Sequence, residues 1–300
     1  MIIYLASYPK SGNTWLRSLL SSYYFSNDGN FKIDLLKNIQ QFPQKKYLDK
    51  YKYELNVPGS TAQYWIKSQK EINIDNKIRF FKTHNSLTSI NNVDKLIAIQ
   101  NEIQEKSIQL NNFTDSKNTL GCIYIVRDPR NVITSLKNHF ELNYEESLEF
   151  MLNKNKYTYD PKKKNDFSDF QFLSSWEINY QSWKMSKLFP IKFIKYEDLL
   201  NKTFDVFKNL INYVDRITNN QNKFNKQKAQ NSIKTTTFSK LKEYEKNNQF
   251  PESVLSKRDF KKIPFFHLGP ENNWKKILSG DFQKKLNTIF KKNLQELEYD

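Results

Sequence analysis

The chain has 300 residues, with 48 Lys and Arg against 32 Asp and Glu, one cysteine and three histidines. A single cysteine excludes an intramolecular disulfide framework and a cysteine-rich metal site, and without an H-x-x-x-H pair we expect no histidine-based metal site. No apolar run approaches the roughly 20 residues of a membrane-spanning helix, so we expect no membrane span.

The formal net charge of +16 is compatible with an anionic partner. Only six of the basic residues are Arg, the residue preferred for contacts with phosphates and bases, which weakens the interpretation of a nucleic-acid-binding protein. The first residues, Met1–Ser7, lack the basic segment of a signal peptide and run into a Pro/Gly turn. We therefore expect a cytoplasmic globular protein that binds no nucleic acid.

Apolar runs of strand length alternate with helical patterns along the chain, which predicts an α/β fold. Because each run is almost continuously apolar, it is typical of a strand buried on both faces, as in a parallel sheet. No Pro-, Gly- or Ser-rich linker divides the chain, so we predict one domain over residues 1–300, with a central, mostly parallel sheet flanked by helices. The predicted strands are Ile2–Ala6, Ile78–Phe81, Cys122–Val126 and Ile191–Ile194.

The segment Tyr8–Trp15 (YPKSGNTW) joins the first predicted strand to the first predicted helix. At such a position the backbone N–H groups of a loop and a helix N-terminus can surround a phosphate. Gly12 allows a close backbone approach, Ser11 and Thr14 supply hydroxyl donors, and Lys10 adds a positive charge. The segment is not a Walker A loop, because Lys10 precedes its only glycine.

Two further strands end in residues that suit reactions of anionic groups. Lys82 and His84 follow the second predicted strand, and the alternation of a strand places them on one side, as a cation and a base. Arg127 follows the third predicted strand, and Ser135 lies eight residues later on a predicted helix, so the two can grip one phosphate. We expect His139, on the same helix, to be exposed and without a role.

These motifs, in this order, resemble those of the sulfotransferases that use 3′-phosphoadenosine 5′-phosphosulfate (PAPS). The resemblance includes the P-loop-like YPKSGNTW, KTH after the second strand, YIVRDPRNVITS after the third and YED after the fourth. It implies that His84 is the general base and that Lys82 stabilises the leaving group. It also implies that Arg127 and Ser135 hold the 3′-phosphate. The 5′ end of the nucleotide would be held by Lys10, Ser11, Gly12, Asn13, Thr14 and Trp15, with Asn13 where many relatives have Thr.

The resemblance also assigns residues to the adenine. Tyr196 of the YED motif would lie near the base. The stretch TTTFSKL is similar to the family's T-S-F-x-x-M segment, which packs on the base, and this implies contacts from Thr236, Phe238 and Leu241.

The pattern departs from the family near the C-terminus. Gly269 matches, but His267 and Leu268 replace the Arg-Lys pair that normally clasps the 3′-phosphate in this part of the site. Losing one charge-assisted hydrogen bond costs roughly 1.5–3 kcal/mol. Either the 3′-phosphate is held more weakly, or other basic residues compensate, namely Arg258, Lys261 or Lys262. The family's dimerisation motif is not seen, and the oligomeric state stays open.

The implied reaction is sulfuryl transfer from PAPS to a hydroxyl or amine by in-line displacement, which leaves 3′-phosphoadenosine 5′-phosphate (PAP) and needs no metal. His84 would take the acceptor proton, Lys10 and Lys82 would stabilise the departing phosphate, and Ser135 would bond Lys10 until the acceptor arrives. Two alternatives remain open: a P-loop kinase or NTPase, and a non-catalytic module that binds polyanions.

We expect a small-molecule or glycan acceptor, recognised by the polar, aromatic-rich stretches 41–77 and 141–170, whose residue types and spacing do not distinguish a glycan, a phenol, a lipid headgroup or a peptide. These stretches are candidates for surface elements or lids over a substrate cleft. Their aromatic side chains can stack on a ring or belong to the core. They are Tyr47, Tyr51, Tyr64, Trp65, Phe140, Tyr144 and Tyr157.

Overall fold

A computed structural model of the chain describes residues 1–88, 113–160, 166–252, 254–256 and 261–299. Its strands are β1 (Ile2–Ala6), β2 (Ile39–Gln41), β3 (Arg79–Thr83), β4 (Thr119–Val126), β5 (Tyr157–Thr158), β6 (Gln171–Phe172), β7 (Ile191–Lys195), β8 (Val254–Leu255) and β9 (Lys262–Ile263). Five of them form a parallel sheet in the order β2-β3-β1-β4-β7. The remaining four form two short antiparallel pairs, β5 with β6 and β8 with β9.

Helices cover both faces of the parallel sheet. In the described part of the chain they are α1 (Asn13–Phe25), α2 (Trp65–Ile72), α3 (Pro129–Phe140), α4 (Tyr144–Leu152), α5 (Trp176–Lys184), α6 (Tyr196–Asn201), α7 (Thr203–Thr218), α8 (Lys226–Thr235), α9 (Phe238–Lys246), α10 (Trp274–Ile277), α11 (Gly280–Ile289) and α12 (Lys291–Leu297). None of these helices is long and apolar enough to cross a bilayer.

The central strands are apolar on both sides because successive side chains enter different cores. In β1, Ile2 and Tyr4 join one buried cluster, while Ile3 and Leu5 join the other. The first cluster includes side chains of α3, α4 and α5, and the second includes side chains of α1, α6 and α7. Each fully buried side chain of this size contributes about 1.5–3 kcal/mol, which anchors β1 between the two layers.

The strand order places a topological switch point beside β1. The chain passes from β1 to β3 on one side and then to β4 on the other. In open parallel sheets the carboxyl ends of strands at such a point border a ligand-binding crevice. The α/β fold with a parallel sheet and an N-terminal strand–loop–helix is confirmed. The edge strand β2 was not predicted, and β4 begins three residues before the predicted Cys122.

Candidate active site

The loop between β1 and α1 has the geometry of an anion-binding loop. Lys10 and Gly12 have φ of 66° and 98°, and a Cβ at position 12 would lie 2.5 Å from Cδ2 of Tyr196. No side chain caps α1, and among the described residues none accepts a hydrogen bond from the backbone N–H groups of residues 11–14. The Ser11 hydroxyl is buried and has no partner in the same part of the structure. The loop therefore presents unpaired donors at a helix N-terminus, where an anion is stabilised.

The Asn13 side chain points toward β1 and not toward the unpaired donors of the loop. Its Nδ2 donates to the carbonyl of Leu5 at 3.0 Å and to Oγ of Ser7 at 3.2 Å. Its amide nitrogen therefore fixes the loop to β1, and the donor that Asn13 has left for an anion is its backbone N–H.

The His84 ring is held by the same residue, Ser7. Nδ1 lies 2.8 Å from the Ser7 carbonyl oxygen and 3.2 Å from Ser7 Oγ. A carbonyl only accepts, so Nδ1 carries the ring hydrogen and Nε2 keeps its lone pair. Burial and the positive charge of Lys82 together lower the pKa of His84 to about 4. The imidazole is therefore neutral at pH 7 and can accept a proton at Nε2.

Lys82 is paired with a carboxylate that the sequence did not single out. Its Nζ lies 2.8 Å from Oε1 of Glu252, and Nη1 of Arg17 lies 2.7 Å from the same oxygen. Burial alone would raise the pKa of Glu252, but the two cations outweigh it and hold that pKa well below its usual range. Burial lowers the pKa of Lys82, and Glu252 opposes this shift. Glu252 therefore keeps an ionised carboxylate beside the predicted catalytic lysine.

Lys10 lies against His139 and Phe265. Its Nζ is 3.5 Å from Nδ1 of His139, 3.5 Å from the carbonyl oxygen of Phe265 and 4.0 Å from the centroid of the Phe265 ring. Burial and the charge of Arg127 together lower the pKa of Lys10 to about 7. Burial also lowers the pKa of His139 to about 2. The expectation that His139 is exposed is wrong, because Lys10 and Phe265 cover it, and the structure shows no bond between Lys10 and Ser135.

Arg127 and Ser135 lie together at the carboxyl end of β4. Nη1 of Arg127 lies 3.2 Å from the carbonyl oxygen of Lys10 and 3.5 Å from Oγ of Ser135. The guanidinium stacks over Tyr196, with Cζ 4.2 Å from the ring centroid. Its Nε is buried and has no partner among the described residues. The pair can therefore offer several donors to one anion.

The residues assigned to the adenine fall into two groups. Trp15 packs edge-on to Tyr196 at 5.8 Å, and Phe238 lies against Gly269, where a Cβ would meet the ring at 2.3 Å. These aromatic side chains can contact a base. Thr236 and Leu241 are both buried, and the Thr236 hydroxyl donates to the carbonyl of Ser232; their contacts with the base stay a prediction.

His267, Lys261 and Lys262 lie at the surface of the described structure. His267 is exposed and Leu268 is half-buried, and the His267 carbonyl accepts from Lys242 at 3.4 Å. Lys262 is exposed and bonds the Asn248 side chain. Lys261 is also exposed, and Arg258 lies outside the described residues.

The aromatic side chains that were predicted to contact the acceptor lie mainly at the edge of the hydrophobic core. Trp65 is buried, and Tyr51 and Tyr64 stack on each other with centroids 4.7 Å apart. Tyr47, Phe140 and Tyr144 are partly buried against the core, and Tyr157 packs on Phe170 at 5.2 Å. A surface cleft of about 610 Å³ adjoins this region. It is lined by Lys45, Asp49, Tyr51, Lys52, Tyr53, Glu54, Leu55, Ser60 and Gln63.

Comparison with known proteins adds to this geometry. The model of the sulfotransferase domain family matches residues 2–298. Luciferin sulfotransferase of Photinus pyralis is 23% identical over 299 residues, which cover 97% of this chain and 71% of that protein.

Two solved structures share the fold. Retinol dehydratase in a complex with retinol and PAP is 16% identical, with a TM-score of 0.54, over 98% of this chain and 81% of that one. A mouse sulfotransferase complexed with PAP is 15% identical, with a TM-score of 0.51, over 97% of this chain and 83% of that one. The resemblance seen in the motifs is thus confirmed along nearly the whole sequence, and the chain belongs to the sulfotransferase family.

Proposed function

We propose that this protein transfers the sulfuryl group of PAPS to a hydroxyl or amine of a small-molecule or glycan acceptor. The observation that carries the proposal is the double contact of Ser7. Its carbonyl oxygen accepts from Nδ1 of His84, and its hydroxyl accepts from the Asn13 amide. A neutral base with a lone pair on Nε2 is thereby fixed to the loop that presents unpaired N–H donors.

The residues present fit PAPS at both of its anionic ends. The 5′-phosphosulfate would be held by Lys10, by the backbone N–H groups of residues 11–14 and by the Ser11 hydroxyl, a buried donor without a partner in the described structure. The 3′-phosphate would be held by Arg127, whose Nε lacks a partner there, and by Ser135. Bound PAPS supplies an activated sulfuryl group with PAP as the leaving group.

Each site residue then has a task that its environment supports. His84 takes the acceptor proton at Nε2, and its low pKa keeps that nitrogen unprotonated at pH 7. Lys82 and Lys10 would stabilise the negative charge that builds on the departing phosphate, because fixed charges in a site that excludes water do so better than water does. Glu252 holds the Lys82 ammonium at 2.8 Å.

The side chains around Lys10 favour an acceptor with an apolar body. Phe265 lies under the ammonium, and His139 packs edge-on to Phe140 at 4.8 Å. Phe140 is half-buried and stacks at 5.0 Å on Phe150, and Phe150 and Tyr8 belong to the core. The half-buried aromatic side chains of this group can bind a ring through their area and their quadrupoles. Phenols and sterols are therefore the first acceptors to screen, followed by oligosaccharides.

The test begins with calorimetric titration of PAP into the wild-type protein and into the Lys10→Met variant. Transfer from labelled PAPS to the acceptor panel is then compared between the wild type and His84→Ala. We expect His84→Ala to bind PAP like the wild type but to turn over about 10²–10⁴-fold more slowly. No binding at millimolar PAP would refute the proposal.

The same preparations test the two alternatives. Magnesium-dependent ATP turnover would favour a kinase or NTPase. Salt-dependent binding of polyanions that is insensitive to Lys10→Met would favour a non-catalytic module.

A further inference from the structure

The segment that follows the replaced Arg-Lys pair is attached to α3 by one buried amide. Asn272 is 7% exposed. Its Nδ2 lies 2.9 Å from the carbonyl oxygen of Asn131 and 3.0 Å from Oγ of Ser135, and its Oδ1 lies 2.7 Å from Oγ1 of Thr134. Every polar atom of this side chain therefore meets a partner on α3.

The contact with Asn131 fixes which way the amide points. The Asn131 carbonyl only accepts, and the reversed amide would place two oxygens 2.9 Å apart. Nδ2 therefore faces both the carbonyl and Ser135, and Oδ1 accepts from Thr134.

This orientation fixes the role of the Ser135 hydroxyl. Its oxygen accepts from Asn272 and also faces Nη1 of Arg127 at 3.5 Å. Both neighbours donate, so the hydroxyl hydrogen points away from them, and within the described ranges no group accepts it. Ser135 is thereby presented as a donor next to the Arg127 guanidinium.

We propose that Asn272 is a positioning residue for recognition of the 3′-phosphate. It makes Ser135 a donor toward that group and so compensates in part for the Arg-Lys pair replaced by His267 and Leu268. The inference rests on the proposed function, because it assumes that Arg127 and Ser135 meet the 3′-phosphate of PAP. A donor fixed in this way forms a stronger hydrogen bond with a phosphate, which is a strong acceptor, than with a ribose hydroxyl.

The segment has a second attachment, so loss of the amide leaves it on α3. The Trp274 N–H donates to Oδ1 of Asn131 at 3.0 Å, and the Trp274 ring lies 4.0 Å from Cζ of Arg130. Asn273 offers a matched control, because it is exposed and its side chain only caps α10 by accepting from the Lys275 N–H.

The experiment is a double-mutant cycle on nucleotide binding, measured by calorimetry with PAP and with adenosine 5′-phosphate, which lacks the 3′-phosphate. We expect Asn272→Ala to weaken PAP binding by about 5–10-fold and to leave adenosine 5′-phosphate binding unchanged. In a Ser135→Ala background, Asn272→Ala should have no further effect on PAP. Asn273→Ala should bind both nucleotides like the wild type.

Three results would overturn the inference: equal weakening of both nucleotides by Asn272→Ala, an undiminished effect of Asn272→Ala in the Ser135→Ala background, or no preference of the wild type for PAP. If the wild type binds neither nucleotide at millimolar concentration, the proposed function itself fails. The two failures are therefore distinguishable in one set of titrations.

Discussion

The pKa of Lys10 makes nucleotide binding depend on pH in a range where ordinary lysines do not titrate. Burial and the neighbouring Arg127 lower this pKa from 10.5 to about 7 in the nucleotide-free protein. A phosphate placed against the ammonium restores the charged form. Binding above pH 7 therefore has to take up a proton, and the affinity falls as the pH rises.

The size of the effect follows from the two pKa values. If binding returns the pKa to about 10.5, the dissociation constant for PAP rises about 50-fold between pH 7 and pH 9. At pH 8 each binding event takes up about 0.9 proton. The nucleotide adds little to this dependence, because the second pKa of a phosphate is about 6.

Calorimetry in two buffers with different ionisation enthalpies measures both the affinity and the proton uptake. Lys10→Arg is the matched control, because its guanidinium stays charged and its binding should not depend on pH over this range. Lys10→Met should bind more weakly at every pH, also without a slope. A constant wild-type affinity from pH 7 to pH 9, or the same slope in Lys10→Met, would refute the reasoning.

Three other outcomes are expected. Because the pKa of His84 is about 4, the acidic limb of kcat/KM should lie near pH 4, and an acidic limb near pH 6.5 would contradict the assignment. Glu252→Gln leaves two cations without their carboxylate, so thermal denaturation should show a loss of about 1–3 kcal/mol without nucleotide. The rise in Tm caused by PAP should be larger in this variant than in the wild type, since a phosphate supplies the missing charge; a smaller rise would count against this. Gly12→Ala would place a Cβ 2.5 Å from a tyrosine ring at a φ of 98°. Its free energy of unfolding should therefore fall by about 1–3 kcal/mol, and its binding of PAP should be lost. In Gly280→Ala the Cβ meets nothing within 4 Å, so calorimetry and melting should show neither loss, and equal losses in both variants would rule out the steric explanation.

The parts of the fold that depend on local sequence were predictable. β1 is apolar throughout and β4 is apolar from Cys122 to Val126, as a sheet buried on both faces requires. The anion-binding loop was predictable because a strand, a glycine-containing turn and a helix follow one another directly. β2 was not predictable, because this strand has only three residues and two of them are glutamines, so it forms no apolar run.

The residues that were missed depend on contacts between distant parts of the chain. Glu252 is 235 residues from Arg17, and a glutamate in a polar stretch gives no sign that it will meet two cations. The burial of His139 depends on Phe265 and Lys10, neither of which lies on its helix. Asn272 lies a few residues after the replaced Arg-Lys pair, and nothing at that place in the sequence indicates its partners on α3.

Ser7 makes the loop and the imidazole behave as one body. It is fully buried, its main chain holds the ring of His84, and its hydroxyl meets the amide of Asn13. A small displacement of either partner is therefore transmitted to the other, and a bulkier side chain at this position would disturb both together. Changes in acceptor preference would then have to arise from residues elsewhere in the chain, with Ser7 and its contacts to His84 and Asn13 unchanged.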